Sequence, residues 1–294
     1  MIACDLGSNT LRIVELDCES GRRIHEFERM VKTADGLHQS GLINDDAVER
    51  IITAIGEAKE IFDLSNAYAV TTAAIRMAKN RLEVLAKIKK ETGLAFIMID
   101  PHEEAMLTSL AVTWRLIKLG YHDSHLLMDL GGGSTEITLG NHAQSFDVGI
   151  VTIAQKYGSA SGVKDNLDKE LSALTAYIKR FEKPSLFVAT AGTPTTIAAF
   201  KQGLDYAHYD VDKVNGTILS LEDLEDALEK LLSMDTKERE RWVGVGRDDL
   251  IVAGVLIVKS IMIAAGFSHM LVIDDGLREG LALQKCQEKS SFSA

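Results

Sequence analysis

Apolar and polar positions along this chain fall into two alternating kinds of pattern. Ile2–Leu6 is a short apolar run ending in Asp-Leu-Gly, residues 11–16 alternate weakly, and Gly7-Ser8-Asn9-Thr10 between them is turn chemistry. Gly21-Arg22 marks a second turn, with a third strand expected over 24–31. After Asp45-Asp46, the residues Val48, Ile51, Ile52, Ile55, Ile61 and Phe62 recur at helical spacing. A strand over 67–72 follows, then a helix over 80–91 stopped by Gly93, then a buried strand over 94–99. Asp100-Pro101 opens a helix that runs to about Lys118 and closes at Gly120.

The opening pattern then returns. A strand over 125–129 again ends in Asp-Leu-Gly, and a Gly/Ser/Thr turn again leads to a strand, over 136–139. Asn141-His142 turns the chain toward a third strand over 143–148. Asp5, Leu6 and Gly7 align with Asp129, Leu130 and Gly131 at an offset of 124 residues. Tandem duplication of one α/β unit accounts for this better than chance. The second half continues with a helix over 168–181, a strand over 186–191 and a helix from Gly192-Thr193-Pro194 through Phe200. Ser220-Leu221-Glu222-Asp223 reads as a capping box before a helix to Leu232. Helices over 236–243 and 248–265, a strand over 270–274, a helix over 278–287 and a fraying tail over 290–294 complete the chain.

Composition sets limits on this layout. A length of 294 residues suits two moderate domains, and 46% hydrophobic with 26% charged residues suits a protein with a real core. The expected division is 1–122 for the first domain and 123–277 for the second, with helix 278–289 packing back on the first. A net charge of −11 opposes nucleic acid and anionic membranes as partners. A polyanion must therefore be held locally, by backbone N–H groups, a few Arg or Lys and metal ions. The apolar stretch 250–267 contains Lys259 and Ser260 and reads as a core helix, not a membrane span. The start of the chain has no signal-peptide pattern. Cys4, Cys18 and Cys286 are odd in number and widely spaced, so reduced thiols in a cytoplasmic protein are expected.

Candidate chemistry gathers at the two repeated loops. A Gly/Ser/Thr turn after a buried strand exposes backbone N–H groups and hydroxyls, an anion-binding arrangement suited to phosphate. The candidates are Gly7, Ser8, Asn9 and Thr10, and Gly131, Gly132, Gly133, Ser134 and Thr135. Neither loop is a Walker A motif or a dinucleotide fingerprint. Either alone would pass for a tight hairpin turn; the pair favours phosphate. Asp5 and Asp129 begin the loops and Glu136 follows the second. Carboxylates near phosphate call for a divalent cation, Mg²⁺ or Mn²⁺, since no His pattern suggests zinc. Asp100 is a natural N-cap with Glu103 as its capping-box partner, which leaves Glu104 for a role such as activating water. Arg76 could reach phosphate or join an ion pair. The turn at Gly192 and Thr193 is a third candidate for phosphate or nucleoside, or for packing.

At these residues the sequence resembles the exopolyphosphatase/guanosine pentaphosphate phosphohydrolase family. The resemblance is carried by residues 5–10, 71–76 with Asn80, Glu103-Glu104-Ala105, 129–136, Ala191-Gly192-Thr193, Gly246-Arg247 and Asp275-Gly276-Leu277-Arg278-Glu279-Gly280. It implies an α/β fold of two duplicated ribonuclease-H-like domains, of the actin/Hsp70/sugar-kinase superfamily, around a central cleft. It also implies removal of a terminal phosphate from inorganic polyphosphate or of the 5′ γ-phosphate from pppGpp. By the same resemblance Glu104 would be the catalytic base, Arg76 its helper, and Asp5, Asp129 and Glu136 the metal holders. The chain departs from many relatives in carrying Pro101-His102 before the Glu segment, a change that should preserve the helix start. It also ends without the C-terminal helical extension of HD-phosphohydrolase type that longer relatives carry. Competing readings are an ATP-using kinase or ATPase of the same superfamily and a non-catalytic sensor of pppGpp or polyphosphate. A homodimer is left open.

Overall fold

The computed structural model describes residues 1–291. The chain divides into two compact units, one built from Met1–Ala111 and the C-terminal stretch from Gly276, the other from Val112–Asp275. The first unit holds β1 (Ile2–Leu6), β2 (Thr10–Leu16), β3 (Arg23–Met30), β4 (Tyr68–Thr71) and β5 (Ile97–Met98), in the order β3-β2-β1-β4-β5. The second holds β6 (His125–Leu130), β7 (Thr135–Leu139), β8 (His142–Phe146), β9 (Leu186–Thr190), β10 (Thr217–Ser220) and β11 (His269–Val272), in the order β10-β11-β9-β6-β7-β8. In each, the strand ending in Asp-Leu pairs antiparallel with the next strand and parallel with a later one. The duplication expected from the two loops is thus a duplication of topology, with β10 added at one edge.

Both sheets are covered because their central strands are apolar on both faces. Ala3 and Cys4, neighbours on β1, are fully buried. In the second unit Leu126, Met128 and Ile137 pack with Val255, Val258 and Met262 of helix Asp248–Ala264. The other face of that sheet presents Leu127, Val188 and Leu271 to Val112 and Leu116 of helix Pro101–Lys118. The apolar 250–267 stretch is accordingly a core helix, and no described helix is long and apolar enough to cross a membrane.

Several local expectations hold. Gly93 caps helix Arg81–Thr92 in the left-handed conformation (φ 76°). Helix Leu221–Ser233 begins with the expected box: Asp223 N–H donates to Ser220 Oγ at 3.1 Å, and Ser220 N–H donates to Asp223 Oδ2 at 2.7 Å. Pro101 stands at the first helical position, and Asp100 Oδ1 accepts from the N–H groups of His102 and Glu103 at 2.8 and 2.9 Å. The Glu103 side chain stays exposed.

Other expectations are corrected. The strand over 94–99 shrinks to Ile97–Met98 at the sheet edge, both residues exposed, while Leu94, Phe96 and Ile99 are buried around it. The helix over 168–181 is two helices, Ala160–Glu170 and Ser172–Ile178, broken at Leu171. Helix Ile150–Tyr157 and strand β10 had no clear sequence signal; β10 exists through its antiparallel pairing with β11. The last helix runs Leu277–Ser291, so the expected fraying does not begin at Ser290; 292–294 lie outside the described residues. The cysteines are not all thiols. Cys18 and Cys286 form a disulfide across 268 positions of sequence, and Cys4 alone is free and buried. Spacing could not reveal that pair, because only the packing of the last helix on β1 and β2 brings Cys286 to the β2–β3 turn.

Candidate active site

The two loops are built alike. Leu6 pairs with Leu11 and Leu130 with Thr135, so each turn spans four residues. Each closes with one bond across its base, Gly7 N–H to Thr10 O at 3.0 Å and Gly131 N–H to Ser134 O at 2.9 Å. In the first unit the carbonyls are then captured from one side. Val31 and Lys32 N–H donate to Asn9 O at 2.9 Å, and Ala34 N–H donates to Ser8 O at 2.8 Å. In the second unit Ile150 N–H donates to Gly131 O at 3.0 Å and Val151 N–H to Gly132 O at 2.9 Å. Thr152 Oγ1 donates to Gly133 O at 3.1 Å.

A peptide unit directs its C=O and N–H oppositely, so holding the carbonyls on one side turns the N–H groups to the other. Those of Gly132, Gly133 and Ser134 have no partner among the described residues. Successive N–H groups presented this way form an anion-binding concavity. Glycine is required beside it, where the chain at Gly149 packs on the loop backbone. A Cβ on Gly149 would lie 2.2 Å from Gly132 O and 2.4 Å from Gly133 C. Gly149 had no distinguishing mark in sequence.

The acidic candidates sit at matching places in the two sheets. Asp5 on β1 lies directly across from Arg12 on β2, which pairs in turn with Glu28 on β3 at 2.9 Å. Asp129 on β6 lies directly across from Glu136 on β7, which accepts from Ser145 Oγ of β8 at 2.6 Å. Arg12 and Glu136 are related by the same 124-residue offset as the loops. One row therefore sets a carboxylate beside a guanidinium, the other beside a second carboxylate. Like charges directly opposite on neighbouring strands are unfavourable unless a cation intervenes. Sequence reasoning missed Arg12, although the repeat pointed to it.

Glu104 and Arg76 come together within the first unit. Arg76 Nη1 donates to Glu104 Oε2 at 3.3 Å and to Ile99 O at 3.0 Å. Arg76 is carried by the short helix Ala73–Met77 after β4, and Glu104 by the first turn of helix Pro101–Lys118. The pair is half-sheltered, with side-chain exposures of 23% and 12%. Glu104 is therefore not an unpaired carboxylate. At the third candidate, Ala191 takes φ 74° between β9 and helix Gly192–Lys201. Thr193 is buried there, and its Oγ1 lies only 2.2 Å from where a Cβ on Gly254 would be. Thr135 is likewise committed, its hydroxyl donating to Val148 O.

A model of the Ppx/GppA phosphatase family matches residues 13–289. The chain belongs to that family. Among Ppx/GppA relatives, exopolyphosphatase 1 of Mycobacterium leprae is 27% identical, over 99% of this chain and 90% of its own length. Exopolyphosphatase 2 of Mycobacterium tuberculosis is 26% identical, over 96% of this chain and 97% of its own. The crystal structure of the Aquifex aeolicus Ppx/GppA family member superposes with a TM-score of 0.76 at 27% identity, covering 98% of this chain and 97% of that one. An exopolyphosphatase structure from Cytophaga hutchinsonii has the same fold, with a TM-score of 0.83 at 22% identity over 98% and 97% of the two chains. The expected α/β fold of two duplicated actin-like domains is therefore the fold of this protein. As a Ppx/GppA member it is a hydrolase of the phosphatase class.

The remaining question of fit concerns a metal. Among the described residues no group of three or more His, Cys, Asp and Glu side chains is gathered to hold one. The Asp129–Glu136 pair offers oxygen donors only, from adjacent strands, which suits Mg²⁺ or Mn²⁺ completed by waters and phosphate oxygens. Asp5 fits less well, because Arg12 already faces it.

Proposed function

We propose that this protein hydrolyses a terminal phosphoanhydride, that of inorganic polyphosphate and/or that of pppGpp at its 5′ γ-phosphate. The observation that carries the reading is the pair of four-residue loops whose carbonyls are held from behind. The second leaves the N–H groups of Gly132, Gly133 and Ser134 for phosphate oxygens. Backbone donors fixed before the substrate arrives need no reorganisation as charge spreads over the phosphoryl oxygens. Such loops also explain how a chain of net charge −11 holds a polyanion.

Glu104 is the proposed general base. Its carboxylate takes the proton of the attacking water while Arg76 and the helix start hold its orientation. Arg76 engages the chain through Nη1, and the rest of its fork suits a phosphate oxygen. Asp129 and Glu136, with Asp5 as a weaker candidate, would hold Mg²⁺ or Mn²⁺, which neutralises phosphate charge when bound. The Gly192 turn is proposed only as a lining element. Phosphate release from short polyphosphate, long polyphosphate and pppGpp, compared at equal concentrations of chain ends, tests the reading. Glu104→Gln should lower release by at least about a hundredfold while ligand still binds. Wild-type turnover in that variant would refute the role of Glu104. Absence of release from every substrate would refute the function.

A further inference from the structure

The segment Gly276-Leu277-Arg278-Glu279-Gly280 was prominent in the sequence, yet none of the proposed chemistry uses it. It opens helix Leu277–Ser291, which belongs to the same unit as Glu104. Gly280 is buried, and a Cβ added to it would lie 1.9 Å from Leu107 O and 2.5 Å from Leu107 C. The two helices therefore meet backbone to backbone at this point. Leu107 follows Glu104 by three residues, so it stands one turn further along the same helix face. The atoms that a Cβ on Gly280 would meet are all backbone atoms of the buried Leu107, so no side-chain rotation relieves the contact.

The start of the last helix is anchored by buried charge. Glu279 is 1% exposed and Arg278 7% exposed. Arg278 Nε donates to Glu279 Oε1 at 2.6 Å, Arg23 Nη2 lies 3.2 Å from the same oxygen, and Gly276 N–H donates to Glu279 Oε2 at 2.9 Å. Arg278 Nη2 also reaches Glu26 on β3 at 3.4 Å. Breaking one partner of a buried ion pair is strongly unfavourable, so this cluster holds the helix start in one place. The far end is tied by the disulfide of Cys286 to Cys18.

We propose that Gly280 is a positioning residue for Glu104. The anchored last helix presses its bare backbone against the Leu107 carbonyl and so sets where the first turn of the Glu104 helix lies relative to Arg76. The proposal rests on the reading of Glu104 as general base. A displacement of the base by about 1 Å is enough to cost a large factor in rate while leaving substrate binding intact.

The test is a double-mutant cycle on phosphate release. Gly280→Ala should lower kcat at least about tenfold with KM within about twofold of wild type. In a Glu104→Gln background the same change should leave the residual rate within about twofold, because the group it displaces no longer acts. A merely structural role would reduce both backgrounds alike. If Gly280→Ala fails to fold by circular dichroism, Arg278→Lys takes its place. That change keeps the charge but removes the fork that grips Glu279 and Glu26. It should lower kcat at least about threefold with unchanged KM and show the same non-additivity. Unchanged kcat in a folded variant, or equal losses in both backgrounds, overturns the proposal alone. Full activity of Glu104→Gln by itself removes the reading beneath it as well.

Discussion

Replacing Cys18 by Ser removes the one covalent tie between the C-terminal helix and the β2–β3 turn, and the structure sets the size of the effect. The bond spans 268 positions of sequence. In the chain-entropy account a loop of that length restricts the unfolded state by about 5–6 kcal/mol. The relevant loop is shorter if the second unit stays folded while the first unfolds. Arg115 Nε and Nη2 grip Asp275 Oδ2 and Oδ1 at 2.6 and 3.1 Å, so residues near the two ends of the second unit are held together. The loop to be closed is then about 105 residues, and the same account yields about 5 kcal/mol. Because the dependence is logarithmic, the choice of loop hardly matters. Measured disulfides more often deliver 2–4 kcal/mol, so about 3 kcal/mol is the working figure. The first unit has about 130 residues, and an unfolding entropy of about 0.27 kcal/mol/K follows. The expected fall in Tm is about 10 °C. Scanning calorimetry of Cys18→Ser against wild type, each with and without reductant, measures it. Wild type should lose the same amount on reduction and the variant nothing. Thiol titration of unreduced wild type in denaturant should find one reactive cysteine, Cys4, whose burial in the fold raises its pKa to about 12, and the variant should show two. Three thiols, or a Tm shift under about 2 °C, would refute the tie.

Gly149→Ala should push the second loop out of place and raise KM for polyphosphate about tenfold with the fold intact, as read by initial rates; an unchanged KM would separate that loop from substrate. Ser220→Ala removes one half of a formed capping box and should lower stability by about 1 kcal/mol in urea unfolding. His125 has its pKa lowered below the ordinary 6.5, chiefly by burial. On acidification the unfolded chain therefore takes up the proton first. Stability from this group is full above pH 6.5 and declines as pH falls through 6.5 toward the folded-state value. His125→Asn should flatten urea-unfolding stability over that window; an identical slope would sink the assignment. Excess EDTA should abolish phosphate release and Mg²⁺ restore it, while undiminished release in EDTA would remove the metal from Asp129 and Glu136.

Much of this protein was legible from residue order because its signals are local. Asp-Leu-Gly at 5–7 and again at 129–131 announced the duplicated unit, since a Gly-rich four-residue turn after a buried strand forms from its own neighbours. Asp100-Pro101 and Ser220 with Asp223 announced their helix starts for the same reason: a cap closes within three residues. Tertiary structure alone decided the rest. Nothing near Arg76 or Glu104 in sequence says that they meet, because they stand 28 positions apart with a helix and a strand between them whose packing brings them together. Which side of each loop is open was decided by residues 31–34 and 150–152, which capture its carbonyls from separate segments. The Gly149 and Gly280 contacts are of the same kind, visible only once another backbone arrives within reach of the missing side chain. Cys18 and Cys286 show the limit most plainly: a bond between positions 268 apart depends on every element folded between them, and no local pattern encodes it.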